Sequence, residues 1–279
     1  MSHYLTQKSI ADFECDLIEN ERSNLTVSKY IHDIESFKTF LDGREITKLL
    51  VLEYKTTLAN KYAKSSANSM LAAINSYFHF MGWHEYVVKR FPIQRKVYCD
   101  ESKELARNDY IKLLNSAKEK GKDRLYLILQ TICGTGIRVS ELRFFTVESI
   151  RSGKVVITCK SKTRTIFLLP KLKEMLLRYA KSKKITSGAI FITKSGKSID
   201  RSNIWREMKS ICSSAGVLAM KVFPHNLRHL FARAFYKVEK DLAKLADVLG
   251  HSSIETTRLY IISTGAEHRR QMENMRLII

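Results

Sequence analysis

Phe91-Pro92-Ile93-Gln94-Arg95-Lys96 is where the chain changes character. Before it, apolar residues recur at helical spacing; the proline then removes a backbone donor and clustered basic charge follows, so the periodicity stops. The stretch predicts an interdomain linker, with residues 1–92 as one domain, 93–103 as the connection and 104–279 as a second domain. A chain of 279 residues is long enough for two modest domains, each with its own core.

Toward the N-terminus, Leu25, Val27, Tyr30, Ile31, Ile34, Phe37 and Leu41 fall three and four residues apart, and Asp42-Gly43 follows as a stop signal. Similar patterns cover Lys48 to Tyr62 and Ser66 to Met81, the latter closed by Gly82, and a weaker one covers Ser9 to Glu19. They predict a four-helix bundle. Toward the C-terminus, helical patterns run from Asn108 to Lys118 and from Arg124 to Cys133. Gly134-Thr135-Gly136 then interrupts before a further helix expected to reach about Phe145. Lys154 to Cys159 and Thr165 to Leu169 are β-rich and suggest a hairpin whose turn, Lys160-Ser161-Lys162-Thr163-Arg164, carries three cations on an exposed tip. Helices are expected again at Leu172 to Ser182, Ser202 to Ala215, Leu227 to Val238 and Asp241 to Leu249. With only 11 Gly and 3 Pro, the fold class is mainly α with a small β-hairpin.

Charge is the first functional signal. The chain holds 48 Lys and Arg against 28 Asp and Glu, a net +20. Residues 1–99 account for only +2 and residues 100–279 for +18, so the second domain is the one built to meet a polyanion. No apolar stretch approaches the length of a membrane span, and Met1 to Glu14 has neither the basic start nor the apolar core of a signal peptide, so a cytoplasmic protein is expected. The five cysteines are odd in number and lie far apart without a CxxC pair, which supports neither a disulfide framework nor a zinc ribbon.

Nucleotide and dinucleotide loops are missing, as is HExxH; His225 and His229 stand four apart without a neighbouring glutamate or an evident third metal ligand. The acidic residues of the basic half do not form the close set that a two-metal nuclease needs. Phosphate chemistry without a metal requires donors for the phosphoryl oxygens, a nucleophile and a proton source. Arg138 follows Gly134-Thr135-Gly136, where a helix N-terminus is expected to add backbone N–H groups; Arg228 stands one turn after His225 in Pro224-His225-Asn226-Leu227-Arg228-His229; Leu249-Gly250-His251 closes a helix, and Tyr260 follows nine residues later. Each of these has an ordinary structural explanation when taken singly; their joint order points to one site.

The sequence resembles the tyrosine recombinase (phage integrase) family through Thr135-Gly136-Ile137-Arg138-Val139-Ser140-Glu141-Leu142, His225-Asn226-Leu227-Arg228-His229, and Leu249-Gly250-His251 with the downstream Tyr260. The N-terminal bundle, with Thr26-Val27-Ser28-Lys29-Tyr30, looks like the family's SAM-like core-binding domain, and the compact size resembles the Xer-type or small mobile-element branch. The resemblance implies a core-binding bundle and a catalytic domain that together clamp duplex DNA. It implies that Arg138, His225, Arg228 and His251 surround the scissile phosphate and that Tyr260 attacks it, with a hairpin lysine as the remaining catalytic group. Lys160 is the first choice because it directly follows the first strand; Lys162 is the rival.

The implied activity is site-specific cutting and rejoining of DNA strands through a 3′-phosphotyrosine, with no ATP, cofactor or metal, in integration, excision, inversion or dimer resolution. His225 is the expected base, and Glu141 is read as a support for the helix that bears Arg138. The implied partners are double-stranded DNA and further copies of the chain in a tetramer, with or without a partner recombinase or accessory protein; the apolar C-terminal segment ending in Leu277-Ile278-Ile279 either passes to a neighbouring copy or packs on its own domain, and the implied location is the bacterial cytoplasm at the nucleoid. A non-catalytic DNA-binding regulator on the same fold and a topoisomerase-like enzyme are the competing readings.

Overall fold

A computed structural model describes residues 2–94, 99–159, 162–193, 195–262 and 265–276. The chain divides into two compact units, residues 1–95 and 96–279.

The first unit contains the four expected helices: α1 (Gln7–Glu19), α2 (Asn24–Leu41), α3 (Lys48–Lys61) and α4 (Lys64–Phe80). Thr6, Ser23 and Thr47 cap the first three through side-chain oxygens that accept otherwise unpaired backbone N–H groups. Phe13, Phe37, Leu71, Ile74, Tyr77 and Phe78 are buried in the core, and the Tyr77 hydroxyl donates to Ser9 Oγ at 2.7 Å rather than being left unsatisfied. The segment leaving the bundle is fastened by two asparagines of α4: Asn75 and Asn68 each pair with both the N–H and the carbonyl of one residue, Val88 and Phe91 respectively.

In the second unit α5 (Arg107–Glu119) and α6 (Asp123–Thr135) are followed by α7 (Val147–Ser152), the hairpin strands β1 (Lys154–Cys159) and β2 (Lys162–Phe167), α8 (Pro170–Ser182), α9 (Arg201–Lys209), α10 (Cys212–Ala215), α11 (Pro224–Glu239), α12 (Leu242–Leu249), α13 (Ile254–Arg258) and α14 (Gly265–Met275). Leu125, Ile128, Leu129 and Ile132 of α6 are fully buried and anchor the core, into which Leu227 of α11 and Leu176 of α8 also pack.

Three expectations are corrected. The stretch from Ser202 to Ala215 is two helices, broken at Ser210-Ile211. No α-helix runs to Phe145: Val139–Phe144 is a 3₁₀ segment. The hairpin turn is also shorter than expected, since β2 begins at Lys162, whose Cα pairs with that of Cys159. Arg164 therefore pairs with Ile157, and Ile166 with Val155, along one face of the hairpin. Val155, Ile157 and Ile166 are buried on that face, so strand alternation turns Arg164 inward instead of leaving it on a tip. Lys160 lies outside the described residues, and Lys162 opens β2. Of the C-terminal segment, Leu277-Ile278-Ile279 lies outside the described residues as well.

Candidate active site

Two left-handed glycines shape the site. Gly136 ends α6 with φ +66°, and a Cβ there would lie 2.3 Å from the Phe231 ring. Gly250 ends α12, also with φ +66°, and a Cβ there would fall 2.1 Å from Arg164 Nη1. Only glycine combines that backbone with that closeness. The carbonyls of Gly136, Leu249 and Gly250 are thereby available to guanidinium groups from three different segments.

Arg228, on α11, has a relative exposure of 1%. Its Nη1 donates to Gly136 O at 2.7 Å, and its Nη2 donates to Leu249 O at 2.7 Å and faces His251 Nε2 at 2.8 Å. Because a guanidinium only donates, His251 accepts at Nε2; its proton then sits on Nδ1, which faces Thr257 Oγ1 at 2.8 Å. The buried Nε–H of Arg228 has no acceptor among the described residues.

Arg138 sits at the start of the 3₁₀ segment. At this N-cap position the Arg138 backbone N–H donates to Glu141 Oε2 at 2.6 Å, so that one N–H is taken by the protein. Its Nη1 meets Glu141 Oε1 at 3.2 Å and its Nη2 donates to Gly250 O at 3.3 Å, while its side chain keeps 42% exposure. Arg164 joins the group from β2: Nη2 pairs with Glu141 Oε2 at 2.7 Å, and Nη1 donates to the same Leu249 carbonyl that Arg228 uses. Sequence reasoning missed Arg164 by placing it in the turn; the available signal was the alternation of Arg164 with Ile166. Glu141, with 4% side-chain exposure, is the carboxylate that ties Arg138 to Arg164, in line with its expected supporting part.

Tyr260 follows α13 and is 7% exposed. Its ring centroid lies 5.1 Å from that of His225, 4.2 Å from His229, 4.9 Å from His251, and 5.7 Å from Arg228 Cζ. The structure thus brings together Arg138, His225, Arg228, His251 and Tyr260, and adds Arg164 and His229. The same surroundings set the charge states. Partial removal of water lowers His225 to about 4 although the residue as a whole stays exposed, and His229, Arg228, Arg138 and Arg201 add to the effect. His251 is lowered to about 3 by burial and then by Arg228, Arg138 and Arg164. Burial and Arg138 bring Arg228 down to about 10, which still leaves it charged at neutral pH. The site is therefore strongly cationic, with neutral imidazoles lining it, and suits an anion with proton traffic beside it. Among the described residues no group of three or more His, Cys, Asp or Glu could hold a metal ion.

The description "Phage integrase family" matches residues 103–267, which contain the whole of this constellation. The chain belongs to that family. Residues 10–85 match the family's N-terminal SAM-like domain. Over 284 residues the chain is 28% identical to tyrosine recombinase XerA of Pyrococcus furiosus, covering 98% of this chain and 96% of the relative. It is 29% identical over 269 residues to tyrosine recombinase XerC of Pediococcus pentosaceus, covering 87% and 89%. These relatives place it with the Xer-like tyrosine recombinases. A lambda integrase tetramer bound to a Holliday junction shares the fold at a TM-score of 0.72 and 18% identity, covering 92% of this chain and 77% of that one.

Proposed function

We propose that this chain is a site-specific DNA recombinase in which Tyr260 breaks and reseals a phosphodiester inside the guanidinium cluster. The observation that carries the reading is the Tyr260 ring 5.7 Å from Arg228 Cζ, with Arg138 and Arg164 joined to the same three-carbonyl frame. A DNA-binding regulator needs cations on its surface; it has no use for a phenol enclosed by imidazoles and a buried arginine.

In the proposed reaction Tyr260 Oη forms a bond to phosphorus and passes its proton to His225, which is neutral and free to accept it. Arg138, the most exposed of the arginines bound to Glu141, meets the non-bridging oxygens. Two of the protein acceptors of Arg228 are backbone carbonyls, so its remaining donors toward the phosphate are the Nε–H and one Nη1 hydrogen. With Arg164 behind them, these cations stabilise the added charge of the five-coordinate transition state. Lys160 donates a proton to the departing 5′ oxygen, and the 3′ end remains on Tyr260. One phosphodiester is exchanged for another of similar energy, so the strand is rejoined by the reverse steps without ATP. His251, accepting from Arg228, holds that guanidinium in place and is poised beside the phosphate.

The partners on this reading are duplex DNA and other copies of the chain, as in the lambda integrase tetramer on its junction. Residues 1–92 serve as the core-binding domain, 93–103 as the linker and 104–279 as the catalytic domain, the two domains clamping the duplex in the cytoplasm at the nucleoid. No helix among the described residues is long and apolar enough to cross a membrane. The test is a nicked suicide duplex carrying the site this protein selects from a randomised duplex pool, resolved on a denaturing gel. A covalent adduct is expected with the wild-type chain and none with Tyr260→Phe. An adduct that survives Tyr260→Phe overturns the assignment of the nucleophile, and none with any selected site favours the regulator.

A further inference from the structure

Lys103 and Leu105, near the start of the second unit, lie along α11. Asn226 Nδ2 donates to Lys103 O at 2.7 Å, Arg233 Nη2 donates to Leu105 O at 2.7 Å, and Leu105 is fully buried. Asn226, His229 and Arg233 are three and four residues apart, so they share one face of the helix. Between the two backbone bonds stands Glu104, its side chain only 17% exposed. One carboxylate oxygen is held by Arg233, and the other lies 3.8 Å from His229 Nδ1. Burial by itself would raise the Glu104 carboxyl, but His229 and Arg233 outweigh it and hold the group below its ordinary value, so it stays charged. The imidazole it faces lies against Tyr260, with ring centroids 4.2 Å apart and planes inclined by 35°.

We propose that Glu104 and His229 form a positioning pair for Tyr260, the carboxylate setting the rotamer of the imidazole and the imidazole plane setting the phenol ring above Arg228. The inference rests on Tyr260 as the nucleophile and deepens that reading. His225 and His251 also border the phenol, but both are engaged otherwise, His225 as the acceptor proposed above and His251 between Arg228 and Thr257. His229 has no such task in the reaction, and among the described residues it is the ring nearest to that of Tyr260. The carboxylate behind it comes from the chain just after the linker, so the hold on the nucleophile begins where the second domain begins.

The experiment measures single-turnover adduct formation at saturating suicide duplex, and separately the Kd for the same duplex, in the full chain. Glu104→Leu and His229→Leu are each expected to slow adduct formation by about tenfold with Kd unchanged, as displacement of a reacting group does. The double variant is expected to lose about the same tenfold and not a hundredfold, because both changes break one arrangement. Glu104→Gln, which keeps an acceptor oxygen for the imidazole N–H, is expected to lose less than Glu104→Leu and guards against a leucine variant that does not fold. Rates unchanged in the single variants, losses that multiply in the double variant, a loss confined to Kd, or a Glu104→Gln rate no better than that of Glu104→Leu would each overturn the pair. An adduct in Tyr260→Phe would instead overturn the nucleophile on which the pair depends.

Discussion

The Tyr260 ring lies across the guanidinium of Arg228, 5.7 Å from ring centroid to Cζ. The proposed nucleophile and a buried cation are thus neighbours. Tyr260 has little exposed surface and Arg228 almost none.

Arg228→Lys is expected to lower the rate of adduct formation by ~100-fold or more, since removal of one preorganised donor from a transition-state site costs on this order. A lysine ammonium cannot reach the Gly136 and Leu249 carbonyls and His251 in one plane as the guanidinium does. Single-turnover cleavage of the suicide duplex measures this, and a rate within tenfold of wild type contradicts it.

Glu141→Gln should destabilise the second unit by about 3 kcal/mol, the usual scale for breaking a buried charge pair. The carboxylate accepts the Arg138 N–H and pairs with both Arg138 and Arg164, and its loss leaves these cations close to Arg228 without a counter-charge. Denaturant unfolding of the full chain gives the number, and a midpoint equal to wild type would show that the cluster needs no carboxylate.

Gly250→Ala is expected to cost about 2 kcal/mol through its left-handed backbone alone. It should also slow adduct formation, because the new Cβ falls 2.1 Å from Arg164 Nη1 and 2.9 Å from its Cδ and must push that side chain off the Leu249 carbonyl. Stability and cleavage should fall together; a stable variant with wild-type cleavage contradicts the close approach.

Acid sensitivity follows from the depressed histidines. The imidazole of His251 is held at about 3 and that of His225 at about 4, against an ordinary 6.5. Between about pH 6.5 and about 4 for His225, and down to about 3 for His251, the unfolded chain therefore binds protons that the folded chain refuses. Their contribution is complete above the unfolded value and is lost as the pH falls through this window. The Tm is expected to drop from pH 7 to pH 4, and His251→Gln, which can still accept from Arg228 and donate to Thr257, should show a shallower drop. Parallel Tm curves for the two proteins would rule this out.

Much of the site was legible because its residues lie in short motifs. Arg138, His225, Arg228 and His251 are each fixed by a glycine or by a helical turn a few residues away, so order along the chain foretold proximity. What escaped depended on register and on long-range pairing. Arg164 was placed in a turn because the length of a hairpin loop is set by strand pairing, and a start at Lys162 turns that arginine inward. Glu104 and His229 carry no local signal of their partnership, because it is made between residues 125 positions apart. The helix expected through Phe145 is instead a 3₁₀ segment opened by the Glu141 side chain on the Arg138 N–H; the same carboxylate also meets Arg164 of β2, a long-range pairing that helical spacing does not encode.

The most direct test of the account is mass spectrometry of the protease-digested covalent complex formed on the suicide duplex. The account predicts a nucleotide joined through its 3′ phosphate to the peptide containing Tyr260, and to no other residue. A nucleotide on a serine, a cysteine or another tyrosine, with the Tyr260 peptide unmodified, would contradict it.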